Sequence, residues 1–190
     1  EVKARGREDA ITRFTNKEDR GTKYLKLGED LWIYFPEEND TVKISGHMLK
    51  EGMMGSDVSY EDALEMSNRY EDYTIERKGD TQFKERDCYV VELTAKTRDA
   101  SYYRRSVFVD KETFVGIKEE MYAKSGKKLK TMEVPNPADT IKKIGPFNIA
   151  VTLIIENELK RNSRTIFHMT SITIISSIDS SVFSKQYLTR

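Results

Sequence analysis

The chain has 190 residues, enough for one domain with a substantial core. Its 32 Lys and Arg are balanced by 32 Asp and Glu, which excludes a protein held on nucleic acid or an anionic membrane by bulk charge. A single cysteine excludes an intramolecular disulfide and any multi-cysteine metal centre, and no apolar run approaches the ~20 residues that span a bilayer.

Ten Tyr and eight Phe favour strands. In chain order, short extended runs are expected at Ala10–Phe14, Thr22–Leu27, Leu31–Phe35 and Thr41–Ser45, separated by the Gly28-Glu29-Asp30 and Pro36–Asp40 breaks. Gly46–Ser59 interrupts the pattern with three glycines and three methionines. Tyr60–Ser67 reads as a short helix, with Ser59 as N-cap, Asp62 three residues on, and Ala63, Leu64 and Met66 as its apolar face. Strand character resumes at Tyr70–Lys78, ahead of a Gly79-Asp80 turn. Asp87–Ala95 alternates, with Tyr89, Val91 and Leu93 on one side. Tyr102–Asp110 and Phe114–Lys124 follow, linked by Lys111-Glu112-Thr113, and Lys127–Val134 lies beyond the Ser125-Gly126 turn. The closing runs are Ile149–Leu159, Arg164–Ser176 and Phe183–Leu188, while Pro135–Gly145 is irregular. About ten to twelve strands at this spacing describe a mainly antiparallel β domain, with links too short for βαβ crossovers. No internal repeat or domain linker is evident, so residues 1–190 read as a single domain.

Catalytic chemistry finds little support in the residue types. His47 and His168 have no clustered Cys or His to complete a zinc site. Cys88 lies in a strand without an electropositive neighbourhood. Gly55-Ser56-Asp57 lacks a nucleophile-elbow frame, and Asp57, Glu61 and Asp62 lack the spacing of an EF-hand loop. No phosphate loop or dinucleotide fingerprint occurs. The expectation is a non-enzyme without metal or cofactor. Arg104-Arg105 follows Tyr102-Tyr103, and strand alternation places one Tyr and one Arg on each face. Lys124, Lys127, Lys128 and Lys130 cluster at a hairpin tip as a candidate docking patch for an acidic partner or lipid headgroups. Apolar character stands out elsewhere: Trp32 and Tyr34 in one strand, and Met48, Leu49, Met53 and Met54 in the glycine-bracketed loop. Methionine is flexible and polarisable and suits variable apolar ligands, so these six are the candidate ligand-binding residues.

The segment from Arg20 to Leu64 carries a G-T-x-x-L strand (Gly21, Thr22, Leu25), a W-x-Y-x-P strand (Trp32, Tyr34, Pro36) and the segment Met54–Asp62. Cys88–Thr94, Ala100–Tyr103, Val109–Thr113 and Phe183 with Tyr187-Leu188 extend the pattern. The sequence resembles the outer-membrane lipoprotein-sorting proteins (LolA/LolB-like). The resemblance implies an open, incomplete antiparallel β-barrel with one or more short helices over its mouth. It implies a periplasmic carrier whose hydrophobic cavity takes lipoprotein or lipid acyl chains. An inner-membrane transporter and an outer-membrane acceptor are its implied partners, and nucleic acid is not. The family's first helix and opening strand are expected before Glu1, which itself reads as the start of a trimmed or mature chain. The alternative expectation is an envelope scaffold serving a lipid-exporting transporter without bound lipid.

Overall fold

A computed structural model describes residues 1–65, 70–98 and 100–190. Its strands are β1 (Val2–Arg5), β2 (Asp9–Arg13), β3 (Lys23–Leu27), β4 (Asp30–Phe35), β5 (Asp40–Ile44), and, after helix α1 (Tyr60–Glu65), β6 (Tyr73–Phe83), β7 (Arg86–Ala95), β8 (Arg104–Asp110), β9 (Gly116–Tyr122) and β10 (Lys128–Glu133). Helix α2 (Pro137–Thr140) leads into β11 (Ile141–Ile144), β12 (Phe147–Ala150), β13 (Thr152–Asn157) and β14 (Arg164–His168), and α3 (Lys185–Leu188) closes the chain. Every strand pairing among the described residues is antiparallel. The strands form a five-stranded sheet in the order β1–β5, a seven-stranded sheet β14-β13-β10-β9-β8-β7-β6, and the β11–β12 hairpin. Neither large sheet closes into a barrel. The mainly antiparallel β class is therefore as expected. The contacts fall into two compact units.

The first unit comprises Glu1–Met53, the helix α1 and Ile175–Arg190. Its five-stranded sheet is covered on both faces, which explains why β3 is buried almost end to end. On one face Ile11, Leu25 and Tyr34 pack with Phe183 and Leu188, and with Trp32, Val182 and Tyr187 at the margin. On the other, Tyr24, Leu31, Ile33 and Ile44 pack with Leu64 of α1, and with Met48, Leu49 and Met53. Two buried lysines of β3 tie down these covers. Lys23 Nζ donates to the Leu188 carbonyl at the end of α3 at 2.7 Å. Lys26 Nζ donates to the Leu64 carbonyl of α1 at 3.1 Å and to the Arg7 carbonyl at 3.0 Å. Each ammonium satisfies helix-end carbonyls that a short helix leaves open. Burial and the nearby Arg13 charge pull the Lys23 ammonium below its ordinary value.

Helix α1 starts as its sequence expects. The Asp62 amide donates to Ser59 Oγ at 3.1 Å, and the Ser59 amide donates to Asp62 Oδ2 at 2.8 Å, a reciprocal capping box. Leu64 is buried on its apolar face; Met66, expected beside it, lies outside the described residues. Gly46–Ser59 is built from two short 3-10 helices, Gly46–Lys50 and Met53–Gly55.

The second unit comprises Met54–Val58 and the long stretch ending at Ile174. Its organising element is the β6–β10 meander. Three expectations change here. Gly79-Asp80 is not a turn, because β6 runs through it with a bulge between Arg77 and Gly79. The turn comes at Lys84-Glu85, both with positive φ, the geometry of a tight hairpin. Pro135–Gly145 is ordered: Pro137 opens α2, and β11 follows. The run Arg164–Ser176 is a strand only to His168. Below the sheet, Cys88, Ile117 and Val134 form a small core with Phe83, Phe108, Ile141 and Ala150. In the first unit, Phe183–Leu188 is also not a strand. Ser184 Oγ accepts from the Tyr187 amide at 3.3 Å and starts α3 instead.

Candidate functional site

The expected ligand-binding residues separate onto two faces. Trp32 and Tyr34 alternate with Leu31 and Ile33 along β4, so they face the α3 cover. Lys185 Nζ lies 3.3 Å from the centroid of the Trp32 ring, with Lys43 Nζ at 5.6 Å. Trp32 Nε1 is shielded from solvent without an acceptor among the described residues. Tyr34 is buried, and its hydroxyl donates to Asn39 Oδ1 at 3.1 Å. Met48, Leu49 and Met53 pack against the opposite face of the same sheet. Met54 belongs to the second unit, is 39% exposed and has a φ of 51°. One sheet thus stands between Trp32 and Tyr34 on one side and Met48, Leu49 and Met53 on the other.

The four candidate docking lysines also divide. Lys124 and Lys127 are exposed around the Gly126 turn. Lys128 pairs with Glu158 at 3.1 Å and Glu120 at 3.7 Å. Lys130 points the other way, 6.0 Å above the Tyr102 ring. The bulge between Lys128 and Lys130 sets this division.

The seven-stranded sheet has two unlike faces. One carries a ladder of charges: Lys78 reaches Glu76 and Glu92, Arg104 reaches Glu92, and Lys118 reaches Glu120. The Tyr122 hydroxyl donates to Glu120 at 2.7 Å. Burial alone would raise Glu120, but hydrogen bonds from Tyr122 and Lys118 outweigh it and hold the carboxyl below its ordinary range. The register places Tyr73, Leu93, Val91, Val107, Met121, Met132 and Ile155 on the reverse face. Tyr73, Leu93, Met121 and Ile155 are buried; Val91 and Val107, paired directly across β7 and β8, are half-buried. Within this apolar face Arg105 and Glu119 form an ion pair, with Arg105 also 5.8 Å from the Tyr73 ring and 5.6 Å from the Tyr102 ring. The Tyr73 hydroxyl donates to the Tyr102 carbonyl at 3.0 Å.

The sequence announces part of this face. Tyr89, Val91 and Leu93 do share a side. Arg104 and Arg105 do split, Arg105 with Tyr102 and Arg104 over Tyr122. Glu119 and Met121 carry no signal of their own in the sequence, since a face spread over six strands leaves no local motif in any one of them.

Other candidate groups find structural employment. Asp57 is buried, accepting from Ser163 Oγ and, at 3.0 Å, from Thr165 Oγ1, while its own amide donates to Thr165 Oγ1 at 2.8 Å. Of the three acidic residues without EF-hand spacing, Asp57 is therefore a clamp and Asp62 a helix cap. His47 is exposed, and His168 Nδ1 lies 2.7 Å from Thr152 Oγ1. Cys88 is fully buried, and burial pushes its thiol up. Among the described residues no three His, Cys, Asp or Glu converge as metal ligands, and no helix is long and apolar enough to cross a membrane.

Residues 6–190 match the model of a family whose description reads "Uncharacterized protein". The chain belongs to this family. No curated protein matches it in sequence. Among solved structures it is similar to a domain described as an outer membrane lipoprotein-sorting protein from Vibrio parahaemolyticus, at TM-score 0.83 and 24% identity over 96% of this chain and 77% of that one. A DUF1329-family protein from Desulfovibrio piger gives TM-score 0.85 at 23% identity, over 95% and 76%. A LolA-superfamily protein from Nitrosomonas europaea gives 0.76 at 24%, over 98% and 80%. At these identities the likeness establishes the fold. The family's chain thus has the LolA-like fold that the sequence resemblance implies.

Proposed function

We propose that the protein is a non-enzymatic periplasmic carrier that shields lipoprotein or lipid acyl chains and moves them towards the outer membrane. The observation that carries this reading is the two-faced seven-stranded sheet. Its charged face is satisfied by ion pairs, whereas its other face sets half-buried Val91 and Val107 among buried Tyr73, Leu93 and Met121. Acyl chains laid on such a face would bind by apolar burial, at roughly 25 cal/mol per Å². Arg105 and Glu119 would supply a polar anchor near the headgroup end. The fold, shared with a domain described as lipoprotein-sorting, supports the same reading. An inner-membrane donor and an outer-membrane acceptor are the partners this role requires, and Lys124 and Lys127 are the exposed members of the expected docking patch.

The test is fluorescence anisotropy with a labelled diacylated peptide. Wild-type protein is expected to bind it, and Val107→Asp to bind about tenfold more weakly while keeping its circular dichroism spectrum. Absence of wild-type binding, or equal binding by the folded variant, overturns the acyl-carrier reading.

A further inference from the structure

Two phenylalanines of the second unit stand in solvent at neighbouring loop tips. Phe114, in the β8–β9 turn, is 71% exposed; Phe147, at the tip of the β11–β12 hairpin, is 57% exposed. They flank a hydrogen bond between their loops, from Asn148 Nδ2 to the Thr113 carbonyl at 3.0 Å. Half-exposed Ile174 lies against Gly145 in the turn of the same hairpin. Folding gains little from any of these side chains.

The exposure of Phe114 is enforced. Its φ is 57°, left-handed backbone that a bulky residue rarely adopts. Asp110, 1% exposed, holds the turn in this form: Arg86 donates to both its carboxylate oxygens, at 3.0 and 2.8 Å, and the Thr113 amide and hydroxyl donate to Oδ2. The Phe114 amide then donates to the Asp110 carbonyl at 2.8 Å. A rigid, ion-paired turn thus presents an aromatic ring outward at a conformational cost.

The charge beside these rings is basic. Lys142 and Lys143 of β11 are exposed and have no acidic partner among the described residues, while Lys111 and Glu112 are already paired, with Asp80 and Arg86. Lys143 pairs in register with Asn148, next to Phe147, and Lys142 with Ile149, so the two lysines lie within two residue pairs of Phe147, one on each side of the hairpin. Aromatic side chains on separate tips, next to uncompensated lysines, match the acyl–headgroup boundary of an anionic bilayer, which takes inserted rings without a shaped groove and attracts the ammonium groups.

We propose that this corner docks the protein on anionic lipid bilayers, with Phe114 and Phe147 inserted and Lys142 and Lys143 at the phosphates. The proposal is independent of acyl-chain carriage: a chain that binds no free acyl peptide still docks. The test is co-sedimentation with vesicles of phosphatidylcholine alone or mixed with phosphatidylglycerol, at low and near-physiological salt. Wild-type protein is expected in the pellet with the mixed vesicles, less so at higher salt and least with phosphatidylcholine alone. F114N/F147T, in which asparagine accepts the left-handed backbone, is expected to partition at least about tenfold less. K142E/K143E is expected to lose about tenfold as well, together with the dependence on phosphatidylglycerol. Wild type that stays in the supernatant at low salt, or F114N/F147T that sediments like wild type, overturns the proposal, the second result pointing to a protein partner or another lipid-binding surface.

Discussion

The two large sheets solve opposite problems with similar strands. The five-stranded sheet is sealed on both faces by short helices and turns of its own unit, so β3 is buried nearly throughout, its two lysines included, and β4 is apolar from Leu31 to Phe35. The seven-stranded sheet has one face satisfied by charge pairs and another left with half-buried aliphatic side chains. Hydrophobicity along one strand therefore does not tell a packed face from an open one. The most apolar segment, Leu31–Phe35, is spent on packing, while the candidate ligand face sits on strands of ordinary, alternating polarity.

That contrast can be broken by experiment. The largest effect is expected in the sealed sheet. Leu25→Ala removes a fully buried side chain from its centre and should cost about 2–5 kcal/mol, read from urea unfolding. Val107→Ala on the half-buried face should cost no more than about 1 kcal/mol by the same measurement; equal losses would show that the two faces are packed alike.

Next comes the ion pair beneath the Phe114 turn. Burial raises the Asp110 carboxyl, yet hydrogen bonds from Arg86 and Thr113 outweigh this and hold it below its ordinary value. Its folded value is then lower than its unfolded one. The pair therefore contributes fully above the ordinary carboxylate range and loses its contribution as pH falls below about 4. Asp110→Asn should destabilise by about 2–3 kcal/mol at neutral pH, and the penalty should shrink in acid. A penalty independent of pH would remove the ion pair as its cause.

Lys23→Met should weaken the α3 cover by about 1–2 kcal/mol, because the Leu188 carbonyl loses its ammonium donor. Faster amide exchange confined to residues near α3 would sharpen the assignment; exchange raised evenly over the first unit would refute it. Lys118→Ala should do least, under about 1 kcal/mol, since partly exposed ion pairs on a sheet surface contribute little.

How far the sequence could be read follows from the same physics. Signals complete within a few residues held: the Ser59–Asp62 capping box, the common side of Tyr89, Val91 and Leu93, and the turn at Gly126. Where two local patterns compete over a short run, the weaker-looking one won. Phe183–Leu188 has strand-like composition, but Ser184 caps a helix there. Gly79 resembles a turn residue, yet it pairs with Val90 beside a bulge at Lys78, and the turn falls on Lys84-Glu85, which no Gly or Asn announces. Alternation correctly separates Trp32 from Ile33. It could not say that the methionine loop would cover the side of Ile33, because that depends on where the chain goes after β5.

Asp57 is bonded to Ser163 and Thr165 in the second unit, whereas Ser59, two residues later, caps α1 in the first. The chain passes back and forth, so each unit is discontinuous in sequence. No single cut yields either unit whole, and a fragment spanning β6 to β14 would lack the Asp57 clamp on its last strand. Deletion mapping of activities onto halves of the chain will therefore report damaged units, and point substitutions are the instrument this topology allows.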